Sequence, residues 1–180
     1  MTGPTAAVPA VSPPAGGGRS AAAWSVLATV MDPEVPAVSV CDLGIVRAVV
    51  EHADALEIVL PPTYSGCPAT DVISEDVLAA LGAAGLGPAR VTLRRAPAWT
   101  TDWITPGGRA RLQAYGIVPP APLRADGAVP IHIVGRAPAL ACPRCGSADT
   151  ERLSAFGSTA CKSLYRCRAC REPFEHFKAI

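Results

Sequence analysis

Between residues 20 and 118 the apolar positions change period several times, and each change predicts an element. Trp24, Leu27, Ala28 and Met31 recur at i, i+3, i+4 and i+7, the spacing of one helix face. Ser20 stands where an N-cap is wanted, and Pro33 and Pro36 stop the pattern. Two runs rich in β-favouring residues follow, Ile45–Val50 and Leu56–Leu60, separated by His52, Ala53 and Asp54, which predicts a hairpin. A loop through Pro61, Pro62, Ser65 and Gly66 ends at Cys67, and Pro68 suits the first turn of a helix because its missing N–H would have no helical partner there. That helix carries Ala69, Val72, Ile73, Val77, Ala80, Leu81 and Ala84 on one side and ends at Gly85 and Gly87. Val91 and Leu93 alternate as a third strand. Thr105-Pro106 opens a shorter helix through Leu112 and Tyr115, with Gly116 to close it.

The order is αββαβα, an α+β unit with a mixed sheet spanning residues 20–118. Residues 1–19 combine four prolines with a glycine run, cannot sustain an apolar face, and are expected to be a disordered tail. Residues 119–140 are rich in proline and read as a stiff linker, with a short strand around Ile131–Val134 as an option. Residues 141–180 form a second, smaller unit.

Composition changes this picture little. With 49% hydrophobic and 5% aromatic residues, Ala, Val and Leu must fill the core. The net charge of +1 gives no overall pull toward nucleic acid or acidic membranes, and no stretch reaches the roughly 18 apolar residues of a membrane helix. Charge is uneven, however: residues 141–180 carry seven Lys/Arg against four acids. The first twenty residues lack the basic start and apolar stretch of an export signal, so a cytoplasmic, reducing setting is expected, where paired cysteines more often hold metals than bridge each other.

Cysteine spacing carries the strongest chemistry. Cys142-Pro-Arg-Cys145 and Cys167-Arg-Ala-Cys170 are two C-x-x-C pairs with 21 residues between them, so two tight turns at the ends of a hairpin can aim four sulfurs at one ion. This is a zinc-ribbon pattern. A tetrahedral four-sulfur site suits Zn²⁺ or a single iron; zinc is preferred as redox-inert, and a closed shell supports folding rather than catalysis. Lys162, Arg166, Arg168 and Arg171 raise the question of a nucleic-acid surface, but cations are also expected around four thiolates and a divalent ion, and that explanation is preferred. Cys161 is either a small buried residue or a spare ligand that could exchange with Cys167. Phe156, Phe174 and Phe177 are expected to supply the ribbon core.

In the first unit Cys67, just before Pro68, stands at a helix N-terminus, where dipole and free N–H groups favour a thiolate; a lone thiol is also commonly buried and inert, and the residues alone leave both readings open. Asp32, Glu34 and Asp42 sit in loop-like sequence, where carboxylates cap turns or, alternatively, surround Cys67. Cys41 lies in an apolar stretch and reads as core. Trp99 and Trp103 flank Asp102 before a helix, suggesting core packing or an aromatic partner surface. No G-x-G-x-x-G after a strand, no P-loop and no H-E-x-x-H is present, so an autonomous enzyme is not expected.

At DPEVPAVSVCDLGIV, PPTYSGCPAT, PAWTTDWITPGGRARLQAYGI, CPRCGS and FGSTACKSLYRCRACREPFEHFK, the chain resembles the PaaD family associated with bacterial phenylacetyl-CoA epoxidase, from about residue 24 onward. The first half also resembles the wider SufT-like family implicated in iron–sulfur cluster assembly. The family's D-P-E and D-L-G signatures fall on Asp32, Pro33, Glu34 and Asp42, Leu43, Gly44, and its G-C-P cysteine falls on Cys67. The resemblance implies a helper in aerobic phenylacetate breakdown. It would mature or deliver iron or an iron–sulfur centre, with Cys67 as the transient thiol and a di-iron oxygenase or iron–sulfur reductase subunit as client. A structural subunit that docks through its ribbon is the alternative. Oligomeric state, a homo-oligomer included, is left open.

Overall fold

The computed structural model describes residues 18–62, 69–122 and 140–180. The tail before residue 18, the segment containing Cys67, and most of the proline-rich linker with its optional strand lie outside the described residues.

Helix α1 spans Arg19–Leu27, followed by strands β1 (Ala48–Glu51) and β2 (Leu56–Leu60), helix α2 (Ala69–Ala83) and strand β3 (Ala89–Leu93). β1 and β2 pair antiparallel and β3 joins β2 in parallel, giving the expected mixed sheet in the order β1-β2-β3. α1 and α2 cover it, with Ala23, Trp24, Leu27, Ile73, Val77 and Leu81 buried.

The first helix differs from expectation. Gly18 occupies the N-cap without a side-chain bond, and Ser20 lies inside the first turn, its hydroxyl donating to Val49 O of β1 at 3.3 Å. The helix also ends before Pro33: the Thr29 hydroxyl and N–H both reach back to Val26 O, at 2.7 and 2.9 Å, which competes with continued helix. Ala28 and Met31 therefore leave the apolar face. Met31 instead bridges to Ser39, and Val30 takes the buried place. In α2, Val72 turns outward, and in the edge strand β3 Leu93 is exposed.

A 3-10 turn, Thr101–Trp103, precedes helix α3 (Pro106–Tyr115), which begins and ends as the sequence predicts. The Thr105 hydroxyl accepts from Gly108 N at 2.9 Å, and Gly116 closes the helix at φ 98°.

A two-residue strand β4 (Ile117–Val118) directly follows α3, and strands β5 (Thr150–Ser154), β6 (Lys162–Cys167) and β7 (Pro173–Phe177) form the antiparallel ribbon. β4 pairs in parallel with β7, so the first unit contributes an edge to the ribbon sheet. The aromatic assignment is corrected by strand geometry. Side chains alternate faces along β7, so Phe174 stacks on Tyr165 inside the ribbon, with ring centroids 5.6 Å apart, while Phe177 points the other way into the core of the first unit beside Trp99. Phe156 is 63% exposed under the Lys178 ammonium, and Tyr165 fills the ribbon core in its place.

Candidate metal centre and acidic cavity

Each C-x-x-C pair lies on a tight turn. In the first, Gly146 N donates to Cys142 O at 2.9 Å and Gly146 takes φ 75°; in the second, Cys167 N donates to Glu172 O at 3.0 Å and Arg171 takes φ 67°. Both turns need a left-handed residue after the second cysteine, and the second turn forces this on an arginine. The turns face each other across the ribbon end. Sγ of Cys142 and Cys170 are 3.7 Å apart, those of Cys145 and Cys167 are 3.6 Å apart, and all four lie within 4.8 Å of one another.

A regular tetrahedron with zinc–sulfur bonds of about 2.3 Å has an edge of about 3.8 Å, so this donor set fits such an ion. The thiols also want a cation on electrostatic grounds. The Cys170 N–H, aimed at Cys167 Sγ at 3.5 Å, pulls that thiol down to about 7. Cys170 accepts from the Glu172 backbone, yet burial and the neighbouring sulfurs push its thiol up to about 12. Four thiolates cannot share this space without a positive charge between them. The basic residues nearby are engaged locally: Arg166 and Arg168 both pair with Glu151, Arg168 at 2.7 Å.

Asp42 and Asp32, alike in sequence, do different work. Asp42 Oδ2 accepts from Ser39 N at 2.9 Å and from Arg111 Nε at 3.0 Å, and a second Arg111 nitrogen meets Oδ1. Burial opposes its charge, but the Ser39 N–H and Arg111 hold the carboxyl below its usual range. Its own carbonyl receives Thr105 N at 2.8 Å, so Asp42 ties the D-L-G turn to α3. Gly44 has φ +67°, and a Cβ there would stand 2.6 Å from Trp103 O. Trp99 donates its indole N–H to Leu43 O at 2.9 Å, and Arg47 lies 3.7 Å over the Trp103 ring. The two tryptophans thus pack this turn rather than presenting an aromatic surface.

Asp32 is 6% exposed. Its Oδ1 accepts from Glu34 N and Val35 N at 2.9 and 2.8 Å. Burial nevertheless raises its carboxyl above the ordinary value, against those bonds and the Lys162 ammonium; Glu34 is raised as well, by burial and by Asp32. Both line a cavity of about 30 Å³ whose other walls include Ala69 at the start of α2, Trp99, Phe177 and, from the ribbon, Cys161. Asp42 is not among the lining residues. Cys41 packs against the core, its thiol pushed up to about 12 by burial and by Asp42.

Sequence reasoning missed Thr105 and Arg111 as supports of Asp42, Gly108 as the residue whose Cβ would stand 2.9 Å from Asp42 O, and Cys161 as a cavity residue. The first three show only as a helix start; Cys161 showed as a thiol in excess of the four-sulfur set.

Comparison with known proteins agrees with both halves. The family described as iron–sulfur cluster assembly protein matches residues 20–93, and the PaaD zinc beta ribbon domain matches residues 127–178. Two solved structures each resemble about half of this chain. A Bacillus anthracis domain of unknown function is 24% identical, over 51% of this chain and 88% of that one, with a TM-score of 0.47. A Mycobacterium tuberculosis protein associated with Fe–S complex assembly and repair is 32% identical, over 54% and 87%, with a TM-score of 0.34. A protein of Escherichia coli strain K12, named as a subunit of 1,2-phenylacetyl-CoA epoxidase, is 46% identical over 157 residues, 87% of this chain and 91% of the relative. With an iron–sulfur assembly domain and a four-cysteine zinc ribbon in one chain, and that identity along nearly all of it, the protein belongs to the PaaD family of phenylacetyl-CoA epoxidase subunits.

Proposed function

We propose that the chain is an accessory protein of a phenylacetyl-CoA epoxidase system, maturing or delivering an iron or iron–sulfur centre, with the oxygen chemistry belonging to another subunit. The observation that carries this reading is the acidic cavity beside Ala69. Cys67 precedes Ala69 by two residues in sequence. On this reading its thiol and the two carboxylates capture iron transiently as cargo: the oxygens add charge, and a mixed donor set holds less firmly than four thiolates. Zinc in the ribbon would serve a different end. Bound by Cys142, Cys145, Cys167 and Cys170, it cross-links the two turns and leaves no open position.

The described cysteines are all free thiols, in keeping with a cytoplasmic setting, and among the described residues no helix is long and apolar enough to cross a membrane. The client is a di-iron oxygenase subunit or an iron–sulfur reductase subunit. Comparing Cys67→Ser with wild type tests the reading: the variant is expected to lose iron binding and to fail to restore epoxidase activity in cells lacking the native protein. Equal performance removes Cys67 from the mechanism. Metal analysis of anaerobically purified protein, expected to give one zinc and a colourless ribbon, tests the metal.

A second reading, a structural subunit docking through its ribbon, is favoured by Leu153 and Phe156, 50% and 63% exposed. Co-purification with epoxidase subunits at a fixed ratio would support it over a transient helper.

A further inference from the structure

We infer that the ribbon carries a docking site for an acidic segment of a partner protein, formed by Arg166, Arg168 and Arg171 around Glu151. The inference goes beyond the function proposed above and uses neither the acidic cavity nor Cys67, so the two stand or fall separately.

Three observations carry it. The three arginines and Glu151 line an open concavity of about 350 Å³, and every lining side chain is charged. Two of the guanidiniums are held in place there. Glu151 and Arg166 are cross-strand partners on β5 and β6; Arg166 Nε donates to Glu151 Oε1 at 3.0 Å, and an Arg168 nitrogen donates to Oε2 at 2.7 Å. Arg168 and Arg166 in turn hold the Glu151 carboxyl below its ordinary value, so it stays ionised and three cations face one anion. A guanidinium presents five N–H donors in a rigid fork, so one carboxylate orients both groups and leaves their other edges for carboxylates from outside.

The second observation is the backbone of Arg171. It follows Cys170 as Gly146 follows Cys145, and both residues take the left-handed conformation, at φ 67° and 75°. Glycine adopts it freely, whereas a Cβ disfavours it. The second turn thus keeps an arginine where the first turn uses glycine, and that side chain completes the basic set. Third, the segments outside the described residues hold one acid, Asp126, against Arg124 and Arg136, so they offer no run of carboxylates to fill the site.

Offsetting four thiolates does not account for this arrangement. Cys142 and Cys167 Sγ receive the backbone N–H groups of Arg144 and Cys170, whereas Arg166 and Arg168 donate to Glu151. Nucleic acid is disfavoured, because a carboxylate stands between two of the cations and no lining residue is aromatic. Neighbouring carboxylates of a Glu- or Asp-rich segment match the guanidinium forks.

The test uses the full chain with zinc in its ribbon and a short fluorescent Glu-Ser repeat peptide, followed by anisotropy. Wild type is expected to bind it saturably, less tightly as salt rises, and to ignore the matching Gln-Ser peptide. Arg171→Gly gives the second turn the residue the first already has, so it should melt at or above the wild-type temperature. It should nevertheless bind the peptide about threefold more weakly, and adding Arg166→Gln should bring the loss to about tenfold. Arg94→Gln with Arg95→Gln, an equal change of charge at exposed positions elsewhere, should leave binding unchanged. No binding by wild type, full binding by the Arg166 and Arg171 variant, equal loss in the Arg94 and Arg95 variant, or tighter binding of single-stranded DNA than of the peptide overturns the inference. Salt-sensitive self-association of wild type, lost in Arg171→Gly, would put a second copy of the chain in the site and overturn it too.

Discussion

The two aspartates of the D-P-E and D-L-G signatures are held oppositely, and pH separates them. Asp42 has a depressed carboxyl, so its stabilisation is present above the ordinary carboxylate value near 3.8 and is lost as pH falls through the lower folded value. Asp32 has a raised carboxyl, so its contribution is fully present below 3.8 and is lost as pH rises through the higher folded value. As pH rises the Asp32 carboxyl therefore favours the fold less than it does in acid. Asp32→Asn keeps an oxygen for the Glu34 and Val35 N–H groups while removing the charge, and we expect it to melt at or above the wild-type temperature at pH 7. The same variant should bind added Fe²⁺ or Co²⁺ more weakly by tenfold or more, about 1.4 kcal/mol. Thermal melts and metal titrations of one preparation check both. A clear loss of stability with unchanged metal affinity would make Asp32 a turn-capping residue alone.

At the scale of elements, we expect the ribbon to depend on a bound ion more than on its core. Among the described residues its buried apolar cluster is Cys142, Tyr165, Cys167 and Phe174, and two of these belong to the four-sulfur set. Structural zinc contributes on the order of 10 kcal/mol to such units. Chelation of the full chain should therefore raise amide exchange across β5, β6 and both cysteine turns while β1, β2 and α2 keep their protection. Unchanged exchange after verified metal removal would place the ribbon's stability elsewhere. Both cysteine turns were legible from spacing alone, as was α3, because Thr105, Pro106 and Gly116 are local signals that work within one turn of helix. The end of α1 was not, since Thr29 capturing Val26 O is a competition that periodicity does not register. Nor was β4: two residues show no period, and only the β7 edge makes Ile117 and Val118 a strand. The opposed directions of Phe174 and Phe177 follow from strand parity, but that the outer face of β7 is covered by the first unit is a tertiary fact. Cys161 became a cavity residue by the same fact.

Across the whole molecule, the two halves keep separate buried clusters but meet at a packed junction, although each matches its own family. Phe177 is buried among first-unit residues and lies 6.4 Å from Trp99. Thr101 N donates to Ile180 O at 3.1 Å, and Lys162, 2% exposed, links Glu175 of the ribbon to Glu34 O of the loop. These contacts fix where Cys161 stands relative to Asp32, so the cavity's geometry depends on the docking of two separately built units. With metal in the ribbon, calorimetry should show one cooperative transition. Phe177→Ala removes a buried aromatic ring at the junction and should cost about 3–5 kcal/mol. Because the ribbon's own cluster does not contain Phe177, the four-sulfur site should keep its ion while the transition splits in two. A wild-type protein that already melts in two steps, or a variant with an undivided transition at the original temperature, would mean that the junction does not couple the halves. The cavity would then lack a rigid wall on its ribbon side.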